Sequence, residues 1–202
     1  MSSGGKAYNV MQYSGGNINA DVYGGDTETY VSGTNASGEA FTLQNGVASN
    51  FILYDGILDV ASGGMANTTT INSGGRQFVR PDGEANNTTI NSGGSQALIG
   101  KAIATTINSG GNQYVSAGGV ANATTINDYG RQTVFSGGVA NATTINHYGW
   151  QYVSSGGVAS ATTIKDVGLQ HVSSGGMANS TTINYSGVQM LNAGGVARDT
   201  IV

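Results

Sequence analysis

Asp128, His147 and Asp166 stand 19 residues apart, each two positions after the Ile of a Thr-Thr-Ile tripeptide. If the units carrying them stack, a carboxylate, an imidazole and a second carboxylate fall on successive layers. That trio could hold a metal ion or run acid–base chemistry. The same residues are also ordinary polar turn formers whose charges suit one another. The one other histidine is His171, and the remaining acidic residues are scattered along the chain. An enzyme on a β-helix, such as a polysaccharide lyase, needs acids and bases clustered on one outer face. The sequence offers no such cluster, so no catalytic residue and no cofactor are expected.

The elements that would position these residues come from a repeat. Thr-Thr-Ile ends at Ile71, Ile90, Ile107, Ile126, Ile145, Ile164 and Ile183, at spacings of 19 residues except one of 17. A Gln follows each Ile by six positions (Gln77, Gln96, Gln113, Gln132, Gln151, Gln170, Gln189), and Val or Leu follows each Gln by two. Each unit reads as strand, turn, strand, turn, with Val120 to Ile126 as one extended segment and Gln132 to Phe135 as the next. A Gly four residues after every Ile, such as Gly130, suggests a position needing positive φ. The 17-residue unit drops two residues in the turn before Lys101.

Variation between units separates inside from outside. Positions +6 and +8 after each Ile are constant in type. Positions +5 (Arg76, Ser95, Asn112, Arg131, Trp150, Leu169, Val188) and +7 (Phe78, Ala97, Tyr114, Thr133, Tyr152, His171, Met190) change freely. Strand side chains alternate faces, so Gln and Val point inward and the variable pair points out. Inward Gln on stacked coils can bond amide to amide along the axis.

These features predict an all-β chain, a parallel β-helix of about ten coils with 19 residues per regular coil. Residues 47–202 form the regular coils, with Leu53 in the Ile column. Residues 1–46 are read as irregular coils of the same helix, with strands at Ile18 to Tyr23 and Thr27 to Val31. The last residues, Thr200-Ile201-Val202, repeat the Thr-Thr-Ile column, so the segment is expected to be truncated mid-coil.

Composition narrows the function. The chain has 202 residues, 34 glycines, no cysteine, 9% charged residues and a net charge of −4. No basic patch exists for nucleic acid, and no apolar run is long enough for a spanning helix. Without cysteine there is no disulfide, thiol nucleophile or Cys-based zinc site. The richness in Val, Ile and Thr, and their periodicity, oppose disorder.

Two outward features remain. Trp150, Tyr152, Leu169, His171, Val188 and Met190 fall on adjacent coils and would make one apolar, partly aromatic patch, an arrangement that marks contact surfaces. Serines cluster in the turns at Ser73, Ser92, Ser109, Ser136, Ser154, Ser155, Ser173 and Ser174. They are turn formers or O-glycosylation acceptors. The Asn-x-Thr triplets at Asn67, Asn86, Asn87, Asn122, Asn141 and Asn179 are read as corner and ladder residues.

Units such as Ser136 to Asn146 (Ser-Gly-Gly-Val-Ala-Asn-Ala-Thr-Thr-Ile-Asn) and Ile107 to Val115 resemble the passenger repeats of self-associating autotransporter adhesins, the antigen 43 and diffuse-adherence adhesin type. The resemblance is strong over residues 47–202 and weak over 1–46. It implies a right-handed β-helix, a place on the bacterial cell surface, and roles in adhesion, autoaggregation and biofilm formation. It implies anchorage by a C-terminal outer-membrane barrel, expected to lie outside this segment. It implies as partners other passengers, a host-cell or surface receptor, and a heptosyltransferase that modifies Ser or Thr.

Overall fold

The computed structural model describes residues 4–202. All regular structure among them is strand, and each regular coil contributes one rung to each of three sheets. In the coil around Ile126 the rungs are Val120–Asn122, Thr125–Ile126 and Arg131–Val134. Every rung pairs in parallel with its counterparts one coil away, Gln132 with Gln113 and Gln151, Ile126 with Ile107 and Ile145. Leu53 pairs with Ile71, in the Ile column. The solenoid has about ten turns.

The segment from Val120 to Ile126 is two strands, not one. Ala123 sits between them at φ 54, and the same column holds Asn87, Ala104, Ala142, Ala161 and Ser180, all at positive φ. This left-handed corner turns the chain from the first sheet to the second. Alanine gives no sign of it in sequence, because a non-glycine residue adopts this region at a cost of roughly 1–2 kcal/mol.

The recurring glycine after each Ile has a different role from the one expected. Gly130 has an ordinary φ. A Cβ on it would lie 2.7 Å from the Ile107 carbonyl oxygen of the neighbouring coil and 2.8 Å from that of Asn127. Close backbone approach, not dihedral freedom, demands glycine there. Positive φ falls on the preceding residue: Gly74, Gly93 and Gly110 in early coils, then Tyr129, Tyr148, Val167 and Ser186.

The first coils carry an antiparallel insert. Tyr30–Thr34 pairs antiparallel with Ala40–Gln44, which pairs antiparallel with Val47–Ser49 before the parallel stack resumes at Met65–Asn67. Asn45 (φ 51) and Gly46 (φ 71) form the second turn. Asn-Gly is the residue pair that two-residue hairpins favour, because both positions need positive φ. Ala20–Val22 is shorter than the strand expected at Ile18 to Tyr23, Tyr30–Thr34 is displaced from the one expected at Thr27 to Val31, and Lys6–Met11 precedes both.

The interior is thin. Each middle coil buries one Ile, one Val or Leu and one Ala, as Ile126, Val134 and Ala121 do, all fully buried. Burying an Ile or Val contributes roughly 1.5–3 kcal/mol. Beside this apolar stack runs a polar one. Gln132 and Thr124 are also buried. Gln132 Nε2 donates to Gln113 Oε1 at 2.7 Å and to Thr124 Oγ1 at 3.2 Å. Its own Oε1 accepts from Gln151 at 2.7 Å and from Thr143 at 3.3 Å. Both donors and both acceptor sites of this buried amide are used, as burial requires. The ladder runs from Gln77 to Gln189 and begins above Leu58, which takes the Gln position one coil earlier.

Candidate functional site

Of the three residues singled out for chemistry, the fold brings two together. His147 Nδ1 lies 2.9 Å from Asp128 Oδ1, with both side chains well exposed. Asp166 makes no ion pair with His147. The backbone explains the difference. At Asp128 and His147 the left-handed residue is the next one, Tyr129 or Tyr148; at Asp166 both Asp166 (φ 54) and Val167 (φ 64) are left-handed. Asp166 keeps its place in the backbone stack, its amide bonded to the carbonyl of its counterpart Tyr185 one coil on, but on this altered turn its carboxylate does not pair with His147. No cluster of three His, Cys, Asp or Glu side chains able to hold a metal occurs among the described residues. The remaining pair is an exposed carboxylate–imidazole contact of small energetic weight. Beside it Tyr129 and Tyr148 stack 5.3 Å apart at 6°, and the His147 ring packs on Tyr148 at 4.3 Å.

The outward residues of the Gln sheet lie in register. Trp150 pairs with Leu169 and Leu169 with Val188; Tyr152 pairs with His171 and His171 with Met190. Trp150 and Tyr152 meet edge to face at 6.4 Å, and Tyr152 and His171 at 5.8 Å. His171 Nε2 lies 3.1 Å from Asn192 Oδ1. Val188 and Met190 are exposed, while the other four are half-buried by their own neighbours. One member went unread in the sequence. Arg131, in the same column as Trp150, places its guanidinium 5.1 Å from the Trp150 ring and 5.6 Å from that of Tyr152. The signal was available: Arg one coil from Trp on an outward column is a cation–π pair.

The turn serines fall into two edges of the rod. Ser73, Ser92 and Ser109 form one exposed file, and Ser136, Ser155 and Ser174 another, with Ser154 and Ser173 half-buried beside the second. The hydroxyls of Ser73, Ser92, Ser136, Ser155 and Ser174 lie against left-handed glycines of the next coil, Ser136 against Gly156 and Ser174 against Gly194. The Asn residues behave as ladders. Asn91, Asn108, Asn127 and Asn146 each donate to the Asn one coil before, at 2.7–3.2 Å. The file stops where Lys165 replaces Asn, leaving Asn146 Oδ1 buried with no partner.

Comparison with known proteins adds three findings. A family model, AIDA, described as the adhesin of bacterial autotransporter system, probable stalk, matches residues 32–94, 98–149 and 111–168. The autotransporter CRAC of Citrobacter rodentium (strain ICC168) is 47% identical over 57 residues, 28% of this chain, and the matched region spans 4% of that relative's length. Among solved structures, a crystal structure of a TibC-catalyzed hyper-glycosylated TibA55-350 fragment is similar at a TM-score of 0.64. It is 35% identical, with 99% of this chain and 83% of that chain covered.

Proposed function

The chain belongs to the AIDA family of bacterial autotransporter adhesin stalks, and from that membership we propose that it is a cell-surface passenger segment that brings cells together by binding copies of itself. The observation that carries this reading is the in-register outward file of Trp150, Leu169 and Val188 beside Tyr152, His171 and Met190. Aromatic and aliphatic groups held contiguously on a rigid sheet are suited to intermolecular contact. A single copy offers a small contact, and many copies on one cell supply avidity. Host or surface receptors are further partners that the family membership supports.

Family and fold favour a non-catalytic role. Nothing in the comparisons favours a polysaccharide lyase, and the one acid–imidazole pair among the described residues is isolated on a turn. The surface location follows the autotransporter family, with anchorage through an outer-membrane barrel carried elsewhere in the full protein.

The serine files support a second property. The TibA fragment is described as hyper-glycosylated by TibC, and this chain presents exposed turn serines in two files. Glycosylation of Ser73, Ser92, Ser109, Ser136, Ser155 and Ser174 by a heptosyltransferase is the corresponding proposal here. Sedimentation of the purified chain tests the self-contact: weak association that rises with concentration supports it, and a strict monomer across the accessible range counts against it.

A further inference from the structure

The short coil leaves a notch in one corner of the rod. Glu84 pairs with Lys101 and Lys101 with Val120, while Leu98 pairs with Val115. Residues 80–83 turn the corner in the coil before, and residues 116–119 in the coil after. Between them Ile99 and Gly100 alone make the connection. Gly100 permits the short cut, since a Cβ there would collide with the carbonyl oxygens of Arg80 and Gly83. The space left open is about 550 Å³, lined among others by Pro81, Asp82, Glu84, Ile99, Lys101 and Val120. That size falls within the range of small-molecule sites.

The missing corner also breaks a file of backbone hydrogen bonds. Elsewhere the corner amide donates to its counterpart's carbonyl one coil on: Gly63 to Asp82, Gly118 to Gly137, Gly137 to Gly156, Gly156 to Gly175, at 2.8–3.0 Å. The Asp82 amide has no such counterpart, and no amide reaches the Gly118 carbonyl from the short coil. A backbone donor and a backbone acceptor thus stand on opposite walls, roughly 9–10 Å or two coil spacings apart. Between them the Glu84 carboxylate and the Lys101 ammonium pair at 3.2 Å, and both remain partly exposed. Ile99 is 38% exposed on the same wall. Arg80 is held away, its guanidinium forked onto Asp59 at 2.7 and 2.8 Å.

The geometry points to a binding site for one pyranose-sized sugar unit. Sugar hydroxyls donate and accept at once, which is what a wall carrying an amide, a carbonyl, a carboxylate and an ammonium asks of its occupant. The C–H face of the ring matches Pro81 and Ile99. A simple cation or anion would meet both charge signs at once. A purely apolar ligand would bury the Asp82 amide and the Gly118 carbonyl without partners, at a cost. The site is independent of the adhesive reading, because its test uses the isolated chain and soluble sugars.

The test is amide NMR of the purified chain titrated with methyl glycosides of glucose, galactose, mannose and N-acetylglucosamine. At least one is expected to move the amide signals of Asp82 and Gly119 saturably, leaving Gly137 and Gly156 in place. Inserting Ser-Gly between Ile99 and Gly100 restores the 19-residue spacing and fills the notch, and is expected to abolish the shifts. Lys101→Met, an exposed position that leaves the fold intact, should weaken binding about tenfold, a 1.4 kcal/mol change. Silence at Asp82 with every glycoside would overturn the proposal, as would shifts that survive the insertion. Asp82 shifts that follow chain concentration without sugar would assign the notch to a second copy and overturn it equally.

Discussion

Gln151 Nε2 donates to Gln132 Oε1 at 2.7 Å, deep in the rod, and its second proton goes to Thr143 Oγ1 at 3.1 Å. Thr143 in turn donates to the same Gln132 oxygen at 3.3 Å. Two of these three bonds cross between coils, and the third ties the rung within its own coil. Such a ladder sets register as well as stability. A coil displaced by one residue would bring an outward side chain into the Gln file and leave several buried polar atoms unpaired.

Replacing Gln132 with Ala removes one rung. It strips a donor from Gln113, an acceptor from Gln151 and an acceptor from Thr143, and opens a cavity. With about 1–3 kcal/mol for each buried group left unpaired and partial relaxation, a loss of about 2–5 kcal/mol is expected. Thr133→Ala, on the outward face of the same strand, should cost under about 0.5 kcal/mol. Urea unfolding of the two variants checks this. Equal midpoints would refute the inward ladder as a source of stability.

Val167 is a β-branched residue at φ 64, in a column where earlier coils carry Gly74, Gly93 and Gly110. Left-handed backbone is most unfavourable for β-branched side chains. Val167→Gly should stabilise the chain by roughly 0.5–1.5 kcal/mol, the relieved strain being offset in part by the greater unfolded-state entropy of glycine. Thermal unfolding gives the sign; a lower midpoint for the Gly variant would contradict it.

The inward faces could be read from sequence because selection for packing shows as constancy. Gln and Val recur at +6 and +8 while +5 and +7 drift, and that contrast alone fixes the strand's orientation. The corners could not be read in the same way. Ala104, Ala123, Ala142 and Ala161 carry no turn signal, yet they are left-handed like Asn87 and Ser180 in the same column, so residue type alone does not mark this corner. Gly130 was legible as necessary but not for its reason, because contact with the Ile107 carbonyl is a long-range fact. The Asn45-Gly46 hairpin carries a local turn signal and lies before the regular repeat. At the candidate site, equal spacing placed Asp166 with His147, and a local change of turn separated them.

The Glu84 carboxyl is held below its ordinary value, first by the hydrogen bond from Asn86 Nδ2; burial opposes this, and the hydrogen bond and charge of Lys101 add to the lowering. The folded chain therefore binds this proton less readily than the unfolded chain. Its contribution is fully present above the ordinary value of about 4.5 and is lost as pH falls through the lower folded value. Parent and Glu84→Gln should differ in stability at neutral pH and converge on acidification below that point. The effect is small because the group is near the surface. A gap that widens as pH falls would contradict the assignment.

Coexpression with a cognate heptosyltransferase should add sugar-sized masses at exposed turn serines, Ser136 and Ser155 before half-buried Ser154. The buried threonines Thr124 and Thr143 should stay unmodified, because their hydroxyls are engaged with the Gln ladder. Peptide mass spectra read this directly. Modification of the buried threonines and not the serines would reverse the inside–outside assignment for the acceptor.

The most direct measurement is two-colour mixing of cells that display the full protein, scored by the fraction of clumps containing both colours. Parent cells should form mixed clumps. Cells carrying Trp150→Ser with Leu169→Ser should clump markedly less, at equal surface display and with the fold intact, since both side chains point away from the core. Dispersed parent cells would contradict the adhesive reading itself. A double variant that clumps as well as the parent would move the contact surface off this patch.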